Sequence, residues 1–314
     1  MAGPRLKPTT KRKWNKVVFW ENSQMLVMML PGIILLLIFN YLPMPGIVMT
    51  FKDFRPMKGI WGSDWNGLEN FRFFFASSDA GRTIRNTVLY ASAFLVLDLV
   101  TAVGLALMFF HLRSRRATKV YNTMVIVPRF MSLVIIAFIV YALLSPSYGL
   151  LNKLIVALGG TAVNWYAEPK YWPFILTITH IWQMVGMNSI LYYSSLMSMD
   201  ESLLEAAKVD GANLRQQIWH VMIPHLVPIM VITTILAIGN LFTGSLDLFY
   251  QVPMNQGLLY PTTDIINTYV YRALLGGSLA RSTAVNLFQS LVGMTLVIVT
   301  NAIIRKISPE HSMF

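Results

Sequence analysis

The chain has 314 residues, of which 55% are hydrophobic and 12% charged, about half the charged share of an ordinary soluble domain. That balance excludes a soluble globular fold, and the absence of cysteine excludes disulfides, thiolate metal sites and cysteine nucleophiles. The formal net charge of +11 would suggest nucleic acid only if the basic residues formed one soluble face; they fall between apolar runs instead, so no nucleic-acid partner is expected.

Six apolar runs are long enough to cross a ~30 Å hydrocarbon layer at ~20 residues each. They lie near 24–43, 84–110, 120–144, 173–194, 227–250 and 283–303. The pattern predicts an all-α integral membrane protein in the lipid bilayer, with a basic segment over 1–23, a six-helix domain over 24–303 and a tail over 304–314. The first run follows Arg5, Lys7, Lys11, Arg12, Lys13 and Lys16; it is too long for a signal peptide and no small-residue cleavage site follows, so it is expected to remain as an anchor. The loop 111–119 adds Arg113, Arg115, Arg116 and Lys119, and the tail adds Arg305 and Lys306. Because Lys and Arg mark the inner side, both termini and the loop 195–227 are expected in the cytoplasm, and the loops 44–83, 145–172 and 251–282 outside. The first outer loop carries Trp61, Trp65, Phe71, Phe73, Phe74 and Phe75. Such residues favour the membrane interface, so the loop is expected to lie flat there. The functional alternative is a surface that receives an external protein.

Between the fourth and fifth runs lies a polar island, Ser202 to Pro224. It predicts two short capped helices hinged at a glycine. Ser202 with Glu205 three residues later reads as a capping box, and Asn213 with Gln216 repeats it. Gly211 falls where the first helix should stop, since glycine takes the left-handed conformation at little cost. In the second helix Leu214, Ile218, Val221 and Met222 recur at helical spacing.

Glu205-Ala206-Ala207, then Gly211, then Val221-x-Ile223-Pro224 resembles the EAA loop of ABC-importer permeases, with conservative departures at Val221 and Ile223. The runs Tyr41–Phe51, Gly67–Phe71, Asp264–Arg272 and Ala284–Gln289 resemble the maltose- and alginate-importer branch of that family. The resemblance implies a maltose-permease-like fold in a bacterial cytoplasmic membrane, whose coupling helix sits in a cleft of an ATP-hydrolysing subunit. It implies that Glu205, Ala206, Ala207, Asp210, Gly211, Ala212 and Pro224 form the docking surface. The implied partners are a second, homologous permease subunit, two ATPase subunits, an extracytoplasmic sugar-binding protein and an oligosaccharide or polysaccharide fragment. This chain would bind no cofactor, ATP and magnesium belonging to the ATPase.

Polar residues inside the spans are expensive unless they face protein or a water-filled path. Arg129 follows Pro128 in the third run; it reads either as a structural arginine, with Asp98 as a conceivable partner, or as a cation that pairs with an acidic sugar. The fourth run carries His180, Gln183, Asn188 and Tyr192, and the fifth Asn240 and Asp247. Sugars need amide and carboxylate partners for hydroxyls and aromatic faces for C–H surfaces. Singly each residue is accounted for by interhelical bonding, worth roughly 1 kcal/mol; as a set, Arg129, Gln183, Asn188, Tyr192, Asn240 and Asp247 are the path candidates. No phosphate loop, zinc-protease helix or nucleophile elbow is present, so no enzymatic activity is expected. The alternative is an ion-coupled secondary carrier, which should carry a repeat between its halves and broken helices at matching positions; no convincing repeat is seen.

Overall fold

The computed structural model describes residues 16–239, 242 and 244–307. These are mostly helical, because apolar segments removed from water must satisfy their backbone polar groups within themselves. The chain divides into two units, up to Val48 and from Met49 onward. In the first, α1 (Lys16–Leu36) widens into a π turn over Leu37–Tyr41, just ahead of Pro43. Its large apolar side chains from Met25 to Leu42 are exposed, as lipid contact requires.

The second unit begins with a small folded knot. Strands β1 (Lys52–Asp53) and β2 (Asp64–Trp65) pair antiparallel, Lys52 opposite Trp65. Asn70, in α2 (Glu69–Ala76), donates to the carbonyls of Thr50 and Lys52 at 2.8 and 3.0 Å, and Lys52 Nζ donates to that of Trp61 at 3.0 Å. The expected flat segment is thus a structured element, with Phe74 buried and Trp61 and Trp65 exposed. Local hydrogen bonds from one asparagine and one lysine fold it back on itself.

The membrane bundle follows. α3 (Ser78–Phe110) and α6 (Trp172–Met197) make the most extensive pairing, and α4 (Arg115–Phe130) lies against α6. At that crossing a Cβ on Gly186 would overlap the Val125 carbonyl oxygen, so the backbone of α4 rests on a glycine. Beyond the polar island, α8 (Leu214–Gly239) packs on α11 (Leu279–Ile307), which also carries α10 (Ile266–Leu275). One buried cluster joins Tyr90, Ile136, Trp172, Leu176, Phe249 and Ile265. A second joins Val103, Ala106, Leu196, Leu204, Met222 and Leu226.

Two predicted spans are corrected. The run 120–144 is not one helix: α4 ends at Phe130 and α5 (Leu133–Leu144) leaves at 100°. Pro128 removes an amide needed by the helix, Met131 turns extended, and Ser132 starts α5 by accepting from the Val134 amide. In the run 227–250 the described part of the long helix reaches Gly239. A separate short helix, α9 (Leu246–Gln251), is capped by Ser245, whose hydroxyl accepts from the Leu248 amide. Hydropathy continues across this break, which is why the sequence reads as one span.

Candidate functional site

The polar island is built on α7 (Glu201–Val209). Its N-cap is Asp200, whose carboxylate accepts from the Ser202 amide at 2.9 Å; that bond holds the Asp200 carboxyl below its usual value. The expected Ser202–Glu205 capping box is therefore not formed. The stronger cap two residues upstream starts the helix earlier and leaves Glu205 in its second turn. The stop is as expected: Gly211 has φ 77°, the Ala212 amide donates to the Ala207 carbonyl at 2.9 Å, and the Gly211 amide to that of Lys208 at 3.1 Å. The second capping box is present, with Asn213 accepting from the Gln216 amide at 3.0 Å and Gln216 accepting from the Asn213 amide at 2.8 Å.

The second helix is not short. It widens into a π turn over Ile218–Met222, where Pro224 disturbs the ordinary ladder, and runs on unbroken to Gly239. Leu204, buried with Met222, Leu226 and Leu196, nails α7 to the bundle. His225 Nε2 lies 3.0 Å from the Ser195 carbonyl, linking α8 to the end of α6. Outward lie Glu205, Ala206, Asp210, Gly211 and Pro224, all exposed, with Ala207 and Ala212 half-buried.

Further along the same helices lie two cavities that share Leu95, Asp98 and Ala237. The first, of about 250 Å³, presents Tyr90, Phe94, Phe249, His180 and Ser245. The second, of about 160 Å³, presents Asn188, Tyr192, Thr233 and Thr234. Asp98 Oδ2 lies 3.0 Å from His180 Nε2, and the His180 ring stacks on Phe94 with centroids 3.8 Å apart. Tyr192 and Thr233 hydroxyls meet at 2.8 Å, bridging α6 and α8.

Of the six path candidates, Asn188 and Tyr192 line the second cavity. Gln183 is buried in α6 outside the lining of both. Arg129 is exposed in the last turn of α4, at the 100° break, and Asp247 is exposed in the first turn of α9; neither lines a cavity. Asn240 lies outside the described residues. Asp98 pairs with His180 and not with Arg129.

Sequence reasoning missed Thr233 and Thr234, ordinary residues in an apolar run, and missed the Asp98–His180 pair, whose members stand 82 positions apart. An acid alone in the run 84–110 was the available signal. It also missed the buried Asp264, which accepts from Arg82 at 2.9 Å, Arg272 at 2.6 Å and the Thr268 hydroxyl at 2.7 Å.

The sequence profile of a family described as binding-protein-dependent transport system inner membrane component matches residues 98–310. The chain is 33% identical to the polygalacturonan/rhamnogalacturonan transport system permease protein YteP of Bacillus subtilis, over 96% of this chain and 93% of that protein. It is 32% identical to protein LplB of the same organism, over 90% and 89%. A chain of a crystal structure of a bacterial ABC transporter that imports the acidic polysaccharide alginate superposes with a TM-score of 0.84 at 31% identity, covering 92% of this chain and 99% of that one. Nothing in these matches supports an ion-coupled secondary carrier. The α-helical membrane chain is a transport subunit and not an enzyme, and it belongs to the family of inner membrane components of binding-protein-dependent transport systems.

Proposed function

We propose that this permease forms half of the path by which an ABC importer takes up an oligosaccharide or polysaccharide fragment. The observation that carries the reading is the joining of an exposed, doubly capped docking loop to a cavity wall by one continuous helix, α8. The saccharide class is supported by relatives named for polygalacturonan/rhamnogalacturonan and alginate transport. It is also supported by two adjoining cavities, the first with aromatic faces and the second with hydroxyl and amide groups. A second permease subunit, forming a heterodimer with this one, encloses the other side of the path. An external binding protein delivers the substrate, as one does in the related alginate transporter crystallised with a periplasmic protein holding an alginate pentasaccharide. The concentration of Lys and Arg in the loops of one side supports a cytoplasmic position for the termini and the loop 195–227, where two ATPase subunits would hold ATP and magnesium. Their closure moves α7 and, through α8, the cavity wall.

The test is co-purification with candidate ATPase and partner-permease subunits, wild type against Gly211→Asp. A Cβ at Gly211 meets nothing within 4 Å, and aspartate tolerates a positive φ better than most residues, so the variant should fold and obstruct only the docking surface. A complex that forms in wild type and dissociates, or loses saccharide-stimulated ATP hydrolysis, in the variant is the expected result. A wild-type chain that stays alone and carries sugar under an ion gradient would overturn it.

A further inference from the structure

We infer that Asp98 sets the specificity of this half of the path. It is an acceptor reserved for saccharide hydroxyls, and it turns carboxylate groups away. The inference rests on the saccharide reading above. Among the residues that line the two cavities there is no lysine or arginine; Asp98, His180 and two tyrosines are the titratable side chains. Arg129, the cation nearest in sequence to such a role, is exposed at the α4–α5 break and lines neither cavity. An anionic sugar therefore meets no lysine or arginine in either cavity, and His180 is already held by Asp98.

The geometry of Asp98 goes further. Its Oδ2 is taken by His180, whose ring is fixed against Phe94 at an interplanar angle of 4°, so the carboxylate cannot rotate freely. Its Oδ1 is buried and has no hydrogen-bond partner, where buried polar atoms are nearly always paired. An ionised carboxylate oxygen accepts and never donates. Sugar hydroxyls supply the donor it lacks, whereas a uronate carboxylate supplies none and is repelled. Asp98 belongs to both cavities. A saccharide passing from the aromatic cavity, where Tyr90, Phe94 and Phe249 meet C–H faces, to the polar one must pass it. A hydroxyl can reach Oδ1 only in a conformation that parts Leu95 and Ala237 from it.

The experiment uses the whole complex in proteoliposomes: both permeases, the ATPases and the binding protein. Uptake is measured for uronate trimers (galacturonate, mannuronate, guluronate) and for their carboxyl-reduced counterparts. The binding protein is the same throughout, so a change in the acid-to-neutral uptake ratio reports the path, and the ratio does not depend on how much of a variant assembles. Asp98→Asn is expected to shift that ratio about tenfold toward the acid form, because it removes the fixed charge that repels a carboxylate while leaving an acceptor for hydroxyls. Asp98→Glu is expected to keep the wild-type ratio. An unchanged ratio in Asp98→Asn, or a shift toward the neutral form, would overturn the assignment. So would failure of Asp98→Asn and Asp98→Ser alike to assemble, which would make the carboxylate structural. A wild-type complex that assembles yet carries neither form would overturn the saccharide reading itself, and this assignment with it.

Discussion

At Glu205 the displaced helix start separates two roles that would otherwise be confounded. With Asp200 as the cap, Glu205 makes no capping bond and its side chain is exposed. Glu205→Ala is therefore expected to change thermal stability by no more than about 0.5 kcal/mol while sharply reducing substrate-stimulated ATP hydrolysis. Asn213→Ala, which deletes one arm of a formed capping box, is expected to cost about 1 kcal/mol. Thermal unfolding of the purified complex, read beside its ATPase rate, checks both. The helix stop and the second cap of this loop were legible because their chemistry is local: a glycine at positive φ and an asparagine–glutamine box lie within a few residues of each other. The first cap was misread for the same reason, since Asp200 and Ser202 both suit an N-cap and only the backbone path selects between them.

Among the elements, α4 and α6 illustrate what a run of hydropathy conceals. Their crossing depends on Gly186 lying under the Val125–Ile126 backbone. Gly186→Ala is expected to destabilise the complex by about 1–3 kcal/mol, with a lower thermal midpoint and less assembled complex. Nothing in the sequence near Gly186 distinguishes it from a glycine open to lipid, because the obstructing backbone comes from another helix. The break at Met131–Ser132 was more accessible: Pro128 followed by a serine that can cap carries both a stop and a start signal. Likewise Ser245 marks the start of α9 inside a run that hydropathy alone joins to α8.

Across the whole molecule, Asp264 ties together segments remote in sequence. Its carboxylate, with no exposed side-chain surface, holds Arg82 at the start of α3 and Arg272 in α10, and Arg82 also reaches Asp79 at 2.8 Å. Asp264→Ala leaves two partly buried guanidinium groups without their shared counter-charge. It is expected to lower stability by about 3–5 kcal/mol, seen as loss of assembled transporter or a lower unfolding temperature. Arg82 and Asp264 are 182 positions apart, so the sequence could supply the fold class and the apolar runs but not this closure. The same holds for Asp98 and His180: each was visible as a costly polar residue, and their pairing was set by packing.

The continuity of α8 has one more implication. From Leu214 to Gly239 it contains 26 residues, a rod of about 39 Å, with the proposed docking loop at one end and Thr233, Thr234 and Ala237 near the other. A tilt of about 5° at one end sweeps the other by about 3 Å along such a rod. Inserting or deleting a single residue between Asn213 and Thr233 would rotate the cavity-facing side by about 100°, turning its threonines away from Tyr192. What this stretch must preserve is phase, and the extra residue of its π turn is already counted into it.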